Sequence, residues 1–149
     1  MSEHKIDLEW QGSSHSPKES NYTRNHAVSF SDTVQVTVSS APEYKGDPNC
    51  PDPEQLLTSA LASCHMLTFL AIADLKGFRV ESYRDRATGF LERGDSGRPQ
   101  ITRIELRPCI VFGGEKQPDA AAIKRIHASA HKNCFIANSI KAKVDVLDT

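Results

Sequence analysis

Residues 52–77 read DPEQLLTSALASCHMLTFLAIADLKG, and this segment predicts one long helix. Asp52 is a suitable N-cap, and Gln55 three residues later completes a capping box. Pro53 between them occupies the first helical position, where its missing N–H costs nothing. Gly77 suits the left-handed residue that follows a helix. The helix is therefore expected to begin at Pro53 and to end just before Gly77.

This helix is expected to be buried on every side. No residue from 56 to 73 carries a formal charge, and apolar side chains occur all round the helix rather than in one stripe. A run of this length also meets the minimum for a membrane span. Polar residues within it, such as Thr58 and His65, favour a core helix and no membrane partner. Because one chain of 149 residues has trouble surrounding a helix of about 36 Å, a second copy is expected to cover part of it.

The remaining pattern predicts an α+β fold in a single domain, residues 1–149. Alternating apolar residues and turn signals mark strands before and after the long helix, and a second, amphipathic helix is led by Asp119. The expected strands are 6–10, 26–30, 34–38, 78–82, 89–91, 101–112 and 141–147, and the second helix is 118–131.

Composition excludes several classes of partner and environment. The 18 basic and 19 acidic residues give a net charge of −1, a poor match for nucleic acid. The N-terminal residues show no secretory signal. The four cysteines show neither a CxxC motif nor a zinc pairing, which is typical of a reducing, cytoplasmic setting.

Cys64 is the candidate for chemistry, since it lies in the middle of the long helix. Free cysteine is often a simple packing residue, so function would require a thiolate. The helix N-terminus cannot stabilise that charge, because Cys64 lies about 17 Å along the axis from Pro53 and the dipole effect fades after the first turn. A cation would have to come from elsewhere.

Two segments resemble the OsmC/Ohr family of thiol-dependent peroxidases. They are PEQLLTSALASCHM at 53–66 and HKNCFIANS at 131–139, with their cysteines 70 residues apart. The resemblance implies an OsmC-like fold, in which antiparallel sheets wrap around long central helices in an intertwined homodimer. It also implies reduction of organic hydroperoxides to alcohols, without metal or cofactor, with recycling by a dithiol such as a lipoylated protein.

The same resemblance assigns four site residues. Cys64 would be the peroxidatic cysteine and Cys134 the resolving cysteine, which form a disulfide after a sulfenic acid on Cys64. Arg24 would stabilise the thiolate, and Glu54 would orient Arg24. From the sequence alone, Arg24 is typical of a solvated strand residue and Glu54 of an acid at a helix start.

The helix itself raises a geometric difficulty for this site. Glu54 and Cys64 are ten residues apart, about 15 Å along a straight helix. They cannot share one guanidinium unless the helix is broken before Cys64 or the two residues come from different subunits. We expect one of these two arrangements.

Other functions stay open at this point. The main alternative is a dimeric binding module for an apolar ligand, with Cys64 unreactive; a cysteine hydrolase would need a base and oxyanion donors that the sequence does not identify. Leucines and Phe69 on the long helix suggest an apolar pocket and hence an organic peroxide.

Several further residues are interpreted as structural. His65 stands where relatives usually have an aromatic residue, and we expect it to pack or to contact a second copy. His127 and His131 have a spacing that can hold a metal but are expected to be a solvated pair. Cys50 and Cys109 are expected to be incidental. Phe135 stands where the family commonly has proline.

Overall fold

The computed structural model describes residues 1–12 and 22–147, and its elements give an α+β fold as predicted. Two compact units divide the chain, Met1–Leu56 and Leu57–Thr149. In chain order the elements are β1 (Asp7–Glu9), β2 (His26–Ser31), β3 (Val34–Val38), α1 (Pro53–Leu75), β4 (Arg79–Asp85), β5 (Thr88–Arg93), β6 (Pro99–Leu106), β7 (Pro108–Gly113), α2 (Ala120–Asn133) and β8 (Lys143–Val146), with short 3-10 helices at Pro42–Tyr44 and Ala137–Ser139.

The first unit contains a three-stranded antiparallel sheet, built from the three strands predicted before the long helix. Its order is β1-β2-β3, with Val28 of the central strand opposite Leu8 on one side and Val36 on the other. The alternation of apolar and polar residues suits such a half-buried sheet. After β3 the chain is held by Ser39, whose N–H donates to the carbonyl of Pro51 at 2.9 Å. This bond brings the end of the sheet next to the start of α1.

The ends of α1 are set by the local signals in its sequence. The Asp52 carboxylate accepts from the Gln55 N–H at 2.7 Å, and the Gln55 side-chain oxygen accepts from the Asp52 N–H at 3.0 Å. These two bonds are the predicted capping box. At the other end Gly77 has φ +73°, and the N–H of Phe78 donates to the carbonyl of Ala73. The predicted boundaries are therefore confirmed to within one residue.

In the single chain α1 is buried on one side only, so its burial on every side stays a prediction that depends on a second copy. Its fully buried residues lie on one stripe at intervals of four: Leu61, His65, Phe69 and Ala73. On another face, Leu67 is 59% exposed and Leu75 is 86% exposed. The elements of one chain cover only one side of the helix. By length and mean hydropathy alone α1 would also pass for a membrane span, a test that core helices of soluble proteins pass too.

The second unit contains two separate sheets. β4 pairs with β7 in a two-stranded antiparallel sheet, while β5, β6 and β8 form a three-stranded sheet in which β6 and β8 are parallel. The single strand predicted over 101–112 is wrong, because the chain changes sheets at Arg107. The Arg107 N–H donates to the carboxylate of Asp85 at 2.7 Å, and Pro108 after it has no N–H for a continuing ladder.

Two clusters of buried side chains hold α1 in this unit. One contains Leu61, Ile104, Leu106 and Cys134, and the other contains Phe69, Ala73, Ile126 and Ala130. α1 and β6 contribute to the first cluster, and α1 and α2 share the second. Cys134, just after α2, therefore reaches the same cluster as the middle of α1.

Candidate active site

Cys64 lies on the half-buried flank of α1. Its side chain packs against the cluster that contains Leu61 and Cys134. Its backbone carbonyl accepts a hydrogen bond from the Thr68 hydroxyl at 2.8 Å, in the next turn of the helix. Cys64 is only partly buried, so its sulfur sits between the core and the surface of the second unit.

Cys134 is the C-cap of α2 and is fully buried. Its extended backbone, with ψ 115°, ends the helix directly after Asn133, two residues beyond the predicted end. Its sulfur accepts a hydrogen bond from the N–H of Ala137 at 3.4 Å. The end of α2 and the turn after it therefore place this sulfur in the first buried cluster.

The structure brings the two thiols into the same cluster of side chains. Both are free, and Cys64 packs against the buried cluster that contains Cys134. Burial raises the pKa of the Cys134 thiol above its ordinary value, and the neighbouring Cys64 side chain acts in the same direction. A raised pKa favours the protonated form of Cys134. Two thiols in contact can form a disulfide when an oxidant removes two electrons.

Arg24 belongs to the first unit. Its Nη1 donates to the carbonyl of Tyr22 at 2.6 Å, and its guanidinium lies 4.1 Å from the centroid of the Tyr22 ring. The stacking holds the positive charge against an aromatic face. Arg24 also lines a cavity of about 420 Å³ in this unit, together with Trp10, Tyr22, His26 and Pro53.

Glu54 is the second residue of α1, in the first turn, and also belongs to the first unit. A carboxylate there is stabilised by the positive end of the helix. α1 is helical without interruption from Pro53 to Leu75, so a broken helix does not account for the ten residues between Glu54 and Cys64. The roles of Arg24 and Glu54 toward Cys64 stay predictions.

His65 makes a contact that the sequence did not predict. It is 1% exposed, and its Nε2 lies 3.0 Å from Nδ1 of His127 on α2. The two rings are nearly parallel, with centroids 5.3 Å apart and planes 9° apart. Burial, followed by the neighbouring His127 and His131, lowers the pKa of His65 to about 4. His65 is therefore neutral near pH 7.

The predicted solvated pair of His127 and His131 is wrong, because His127 instead pairs with His65. A signal for this contact was present in the sequence. His65 follows Leu61 by four residues and precedes Phe69 by four, so it lies on the apolar stripe of α1. His127 follows Ile123 by four residues on α2 in the same way. Periodicity could have placed both rings inward, but not opposite each other.

The two remaining cysteines lie on other segments of the chain. Cys109 is exposed on β7, opposite Arg84 of β4. Cys50 lies in the loop before α1, where burial, and then the nearby Asp47, raise the pKa of its thiol. Their assignment as incidental stays a prediction.

The family model described as OsmC-like protein matches residues 46–147. The chain belongs to this family. The match covers α1, α2, Cys64 and Cys134. The predicted resemblance to OsmC-like proteins is thereby confirmed, as is the OsmC-like fold.

Three individual comparisons show how far the likeness extends. The structure of the OsmC-like protein VCA0330 of Vibrio cholerae, a protein of unknown function, is 36% identical over the full length of both chains, with a TM-score of 0.95. The uncharacterized protein YmaD of Bacillus subtilis is 23% identical over 112 residues, 74% of each chain. An organic hydroperoxide resistance protein of Legionella pneumophila shares the fold, with a TM-score of 0.64 and 18% identity over 99% of this chain and 97% of its own.

Proposed function

We propose that this OsmC-like chain is a thiol-dependent peroxidase that reduces organic hydroperoxides to alcohols. The observation that carries the proposal is that two free thiols, Cys64 and Cys134, meet in one cluster of side chains. The family supports the same conclusion, since one structural neighbour is named an organic hydroperoxide resistance protein. The asymmetry of the pair, with Cys134 holding its proton, favours Cys64 as the residue that attacks the peroxide.

The reaction needs two thiols and no other redox group. The Cys64 thiolate attacks the terminal oxygen of the hydroperoxide, the O–O bond breaks, and the alkoxide leaves as the alcohol after taking a proton. Cys64 is now a sulfenic acid. Cys134 attacks its sulfur, water leaves, and a disulfide forms. An external dithiol then restores both thiols by exchange and is itself oxidised to a disulfide.

A thiolate at Cys64 requires a positive group, because the middle of a long helix receives little from the helix dipole. We assign this role to Arg24, with Glu54 orienting its guanidinium through paired hydrogen bonds. Because Glu54 and Cys64 are separated along one uninterrupted helix, the complete site would combine residues of two subunits. We therefore propose that the protein is a homodimer.

The exposed face of α1 supports this assembly. Leu67 and Leu75 are largely exposed on a helix that has no formal charge from residue 56 to 73. Exposed apolar surface of this kind is typical of interfaces. A second copy covering this face would also explain why one chain buries only one stripe of α1.

The cavity beside Arg24 supports an organic substrate. Its walls are mainly apolar, with Trp10, Tyr22 and Pro53 among them. Apolar walls favour a peroxide that carries a hydrocarbon group over hydrogen peroxide. The sequence-based choice of pocket walls was partly wrong, since Leu61 and Phe69 are fully buried in the core. The dithiol reductant, such as a lipoylated protein, and the cytoplasmic location belong to the same proposal.

The direct test is stopped-flow consumption of cumene hydroperoxide by the reduced protein. Without an added dithiol, we expect rapid consumption of one equivalent by wild type and by Cys134→Ser, and no consumption by Cys64→Ser. Cys109→Ser is the matched control, because it removes an exposed thiol outside the pair. Equal loss of consumption in Cys109→Ser would show that the wrong sulfur has been assigned.

A second candidate function, binding of an apolar ligand with Cys64 unreactive, is favoured by a groove in the second unit. It has a volume of about 500 Å³ and is lined by Ile110, Phe112, Ile123 and His127, among others. Alkylation of Cys64 as a function of pH separates the two functions. A thiol that reacts only in alkaline solution would favour the binding module.

A further inference from the structure

The His65–His127 contact joins the same two helices that carry the cysteine pair. Cys64 precedes His65 directly on α1, and Cys134 follows His127 by seven residues at the end of α2. The ring nitrogens of His65 and His127 therefore join α1 and α2, and close by along the chain Cys64 packs against the cluster that contains Cys134. The ring of Phe69, one turn after His65, also lies 4.4 Å from the ring of His127.

Packing alone does not explain a histidine at position 65. Its Nδ1 is buried and, among the described residues, has no hydrogen-bond partner. A buried polar atom without a partner is unfavourable, and a leucine would fill a similar space without that penalty. The neighbours of His65 on the stripe, Leu61 and Phe69, are apolar. We therefore look for the role of the His65 ring in its hydrogen bond with His127, which an apolar side chain could not make.

A hydrogen bond fixes the relative orientation of the two side chains that it joins, which apolar packing does not. Apolar contacts depend little on orientation, whereas an N–H···N bond weakens steeply with misalignment. Disulfide formation is also strict, because the Cβ atoms must approach to about 3.5–4.5 Å with a defined dihedral angle. A displacement of about 1 Å can lower the rate of a reaction between positioned groups by about a hundredfold.

We propose that the His65–His127 hydrogen bond is a positioning element that holds α1 against the end of α2 so that Cys134 faces Cys64 for disulfide formation. The inference rests on the proposed thiol chemistry and goes beyond it by giving two histidines a role in the second step. Neither histidine is catalytic in this scheme, since neither touches substrate or the reacting sulfurs. With His65 neutral near pH 7, one ring donates its N–H and the other accepts.

The test measures disulfide formation without any peroxide. Reduced protein carrying Cys50→Ser and Cys109→Ser, so that only the pair can react, is equilibrated with oxidised and reduced dithiothreitol. Mass spectrometry after alkylation gives the fraction that holds the Cys64–Cys134 disulfide. Each disulfide formed reduces one dithiothreitol disulfide to its dithiol, so the equilibrium yields the effective concentration of the two thiols.

Four variants separate the hydrogen bond from packing. His65→Leu and His127→Leu remove it, whereas His65→Gln and His127→Asn each place an amide near the lost ring nitrogen. We expect the effective concentration to fall at least about tenfold in the leucine variants and to stay within about threefold of wild type in the amide variants. His131→Asn is the matched control, since His131 is exposed on the same helix and should leave the value unchanged.

Thermal unfolding of the same variants distinguishes positioning from stability. His65→Leu removes the unpaired Nδ1, so we expect its unfolding temperature to equal or exceed that of wild type while the effective concentration falls. A merely structural role would lower both together and would overturn the inference. An effective concentration in the leucine variants within about twofold of wild type would overturn it too. So would an effective concentration that falls as far in the amide variants as in the leucine variants.

The same experiment keeps this inference apart from the peroxidase proposal. If the wild-type pair forms its disulfide with dithiothreitol but the protein consumes no hydroperoxide, the peroxidase proposal fails and the positioning role stands. If hydroperoxide is consumed, the leucine variants should release the first equivalent of alcohol at the wild-type rate. They should then accumulate sulfenic acid on Cys64, detected by dimedone labelling, which the His131→Asn control should not do.

Discussion

Cys64, in the middle of α1, packs against the buried cluster that contains Cys134, at the C-terminal end of α2. The two residues are 70 positions apart in the chain. Their environments differ, because Cys134 is fully buried while Cys64 is partly exposed. This difference suits the proposed roles. A peroxidatic cysteine must be accessible to substrate, whereas a resolving cysteine can be buried until the sulfenic acid forms.

Loss of the resolving thiol should expose Cys64 to further oxidation. With Cys134→Ser, the sulfenic acid formed by one equivalent of cumene hydroperoxide has no thiol to attack it, and excess peroxide should convert it to sulfinic acid. Intact-protein mass spectrometry measures the product. Wild type and Cys109→Ser should form the disulfide instead. Resistance of Cys134→Ser to overoxidation would contradict the assignment of the two roles.

Arg24 should act through both its charge and its shape. Arg24→Ala should slow the reaction of Cys64 with hydroperoxide by about tenfold to a hundredfold, because a nearby cation favours the charged sulfur. Arg24→Lys should recover only part of this rate, since lysine cannot form the paired bonds with Glu54. Stopped-flow kinetics measures the rate. An Arg98→Ala control in the turn before β6 should behave as wild type.

His65 should make the protein less stable in acid. Its folded-state pKa of about 4 lies below the unfolded value of 6.5, so the unfolded chain binds more protons between these values. The contribution of His65 to the free energy of unfolding is fully present above pH 6.5. It decreases as the pH drops toward 4 and is constant below that. Between about pH 7 and about pH 4.5 the free energy of unfolding should decrease by about 2 kcal/mol through this group.

Urea unfolding at the two pH values measures that loss, and the comparison with His65→Leu isolates it. The leucine variant should lack this share of the acid sensitivity, whereas His131→Asn should retain it. An equal dependence on pH in wild type and His65→Leu would show that protonation of His65 does not cause the acid sensitivity.

The first buried cluster should be sensitive to loss of volume. Leu61 is fully buried against Ile104 and Leu106, so Leu61→Ala should lower the free energy of unfolding by about 2–5 kcal/mol. Leu91→Ala is the matched control, because Leu91 is 43% exposed and its truncation should cost about 0.5 kcal/mol or less. Chemical denaturation measures both values. Similar losses in the two variants would show that Leu61 is not part of the core.

The outer face of α1 should carry the dimer contact. Leu67→Glu would place an unpaired charge in that interface, so it should shift the protein from dimer toward monomer in sedimentation velocity. Leu91→Glu, an equal change at an exposed position on β5, should leave the dimer intact. A wild-type protein that sediments as a monomer at micromolar concentration would reject the proposed assembly.

Signals carried by neighbouring residues predicted both ends of α1 and the N-cap of α2. Asp52 and Gln55 cap each other across three residues, and the carboxylate of Asp119 accepts from the N–H of Ala122 at 2.6 Å. Gly77 takes the left-handed conformation expected of it. Such bonds form within one turn of chain, so the residues that make them can be identified without the fold.

The candidate site was predictable only in part. Resemblance to a family singled out Cys64 and Cys134, but no local pattern in the chain requires these two sulfurs to meet. The partner of His65 was missed for the same reason, since periodicity shows which side of a helix faces inward but not what lies opposite.

Tertiary structure alone placed the contacts between distant segments. The change of sheet at Arg107, the parallel pairing of β6 with β8, and the pairing of His65 with His127 each join segments far apart in the chain. Local sequence was sufficient where a bond closes over three or four residues. Contacts between distant segments depend on which surfaces pack together. Many arrangements of strands and helices are compatible with the same apolar pattern, and only the folded chain selects one of them.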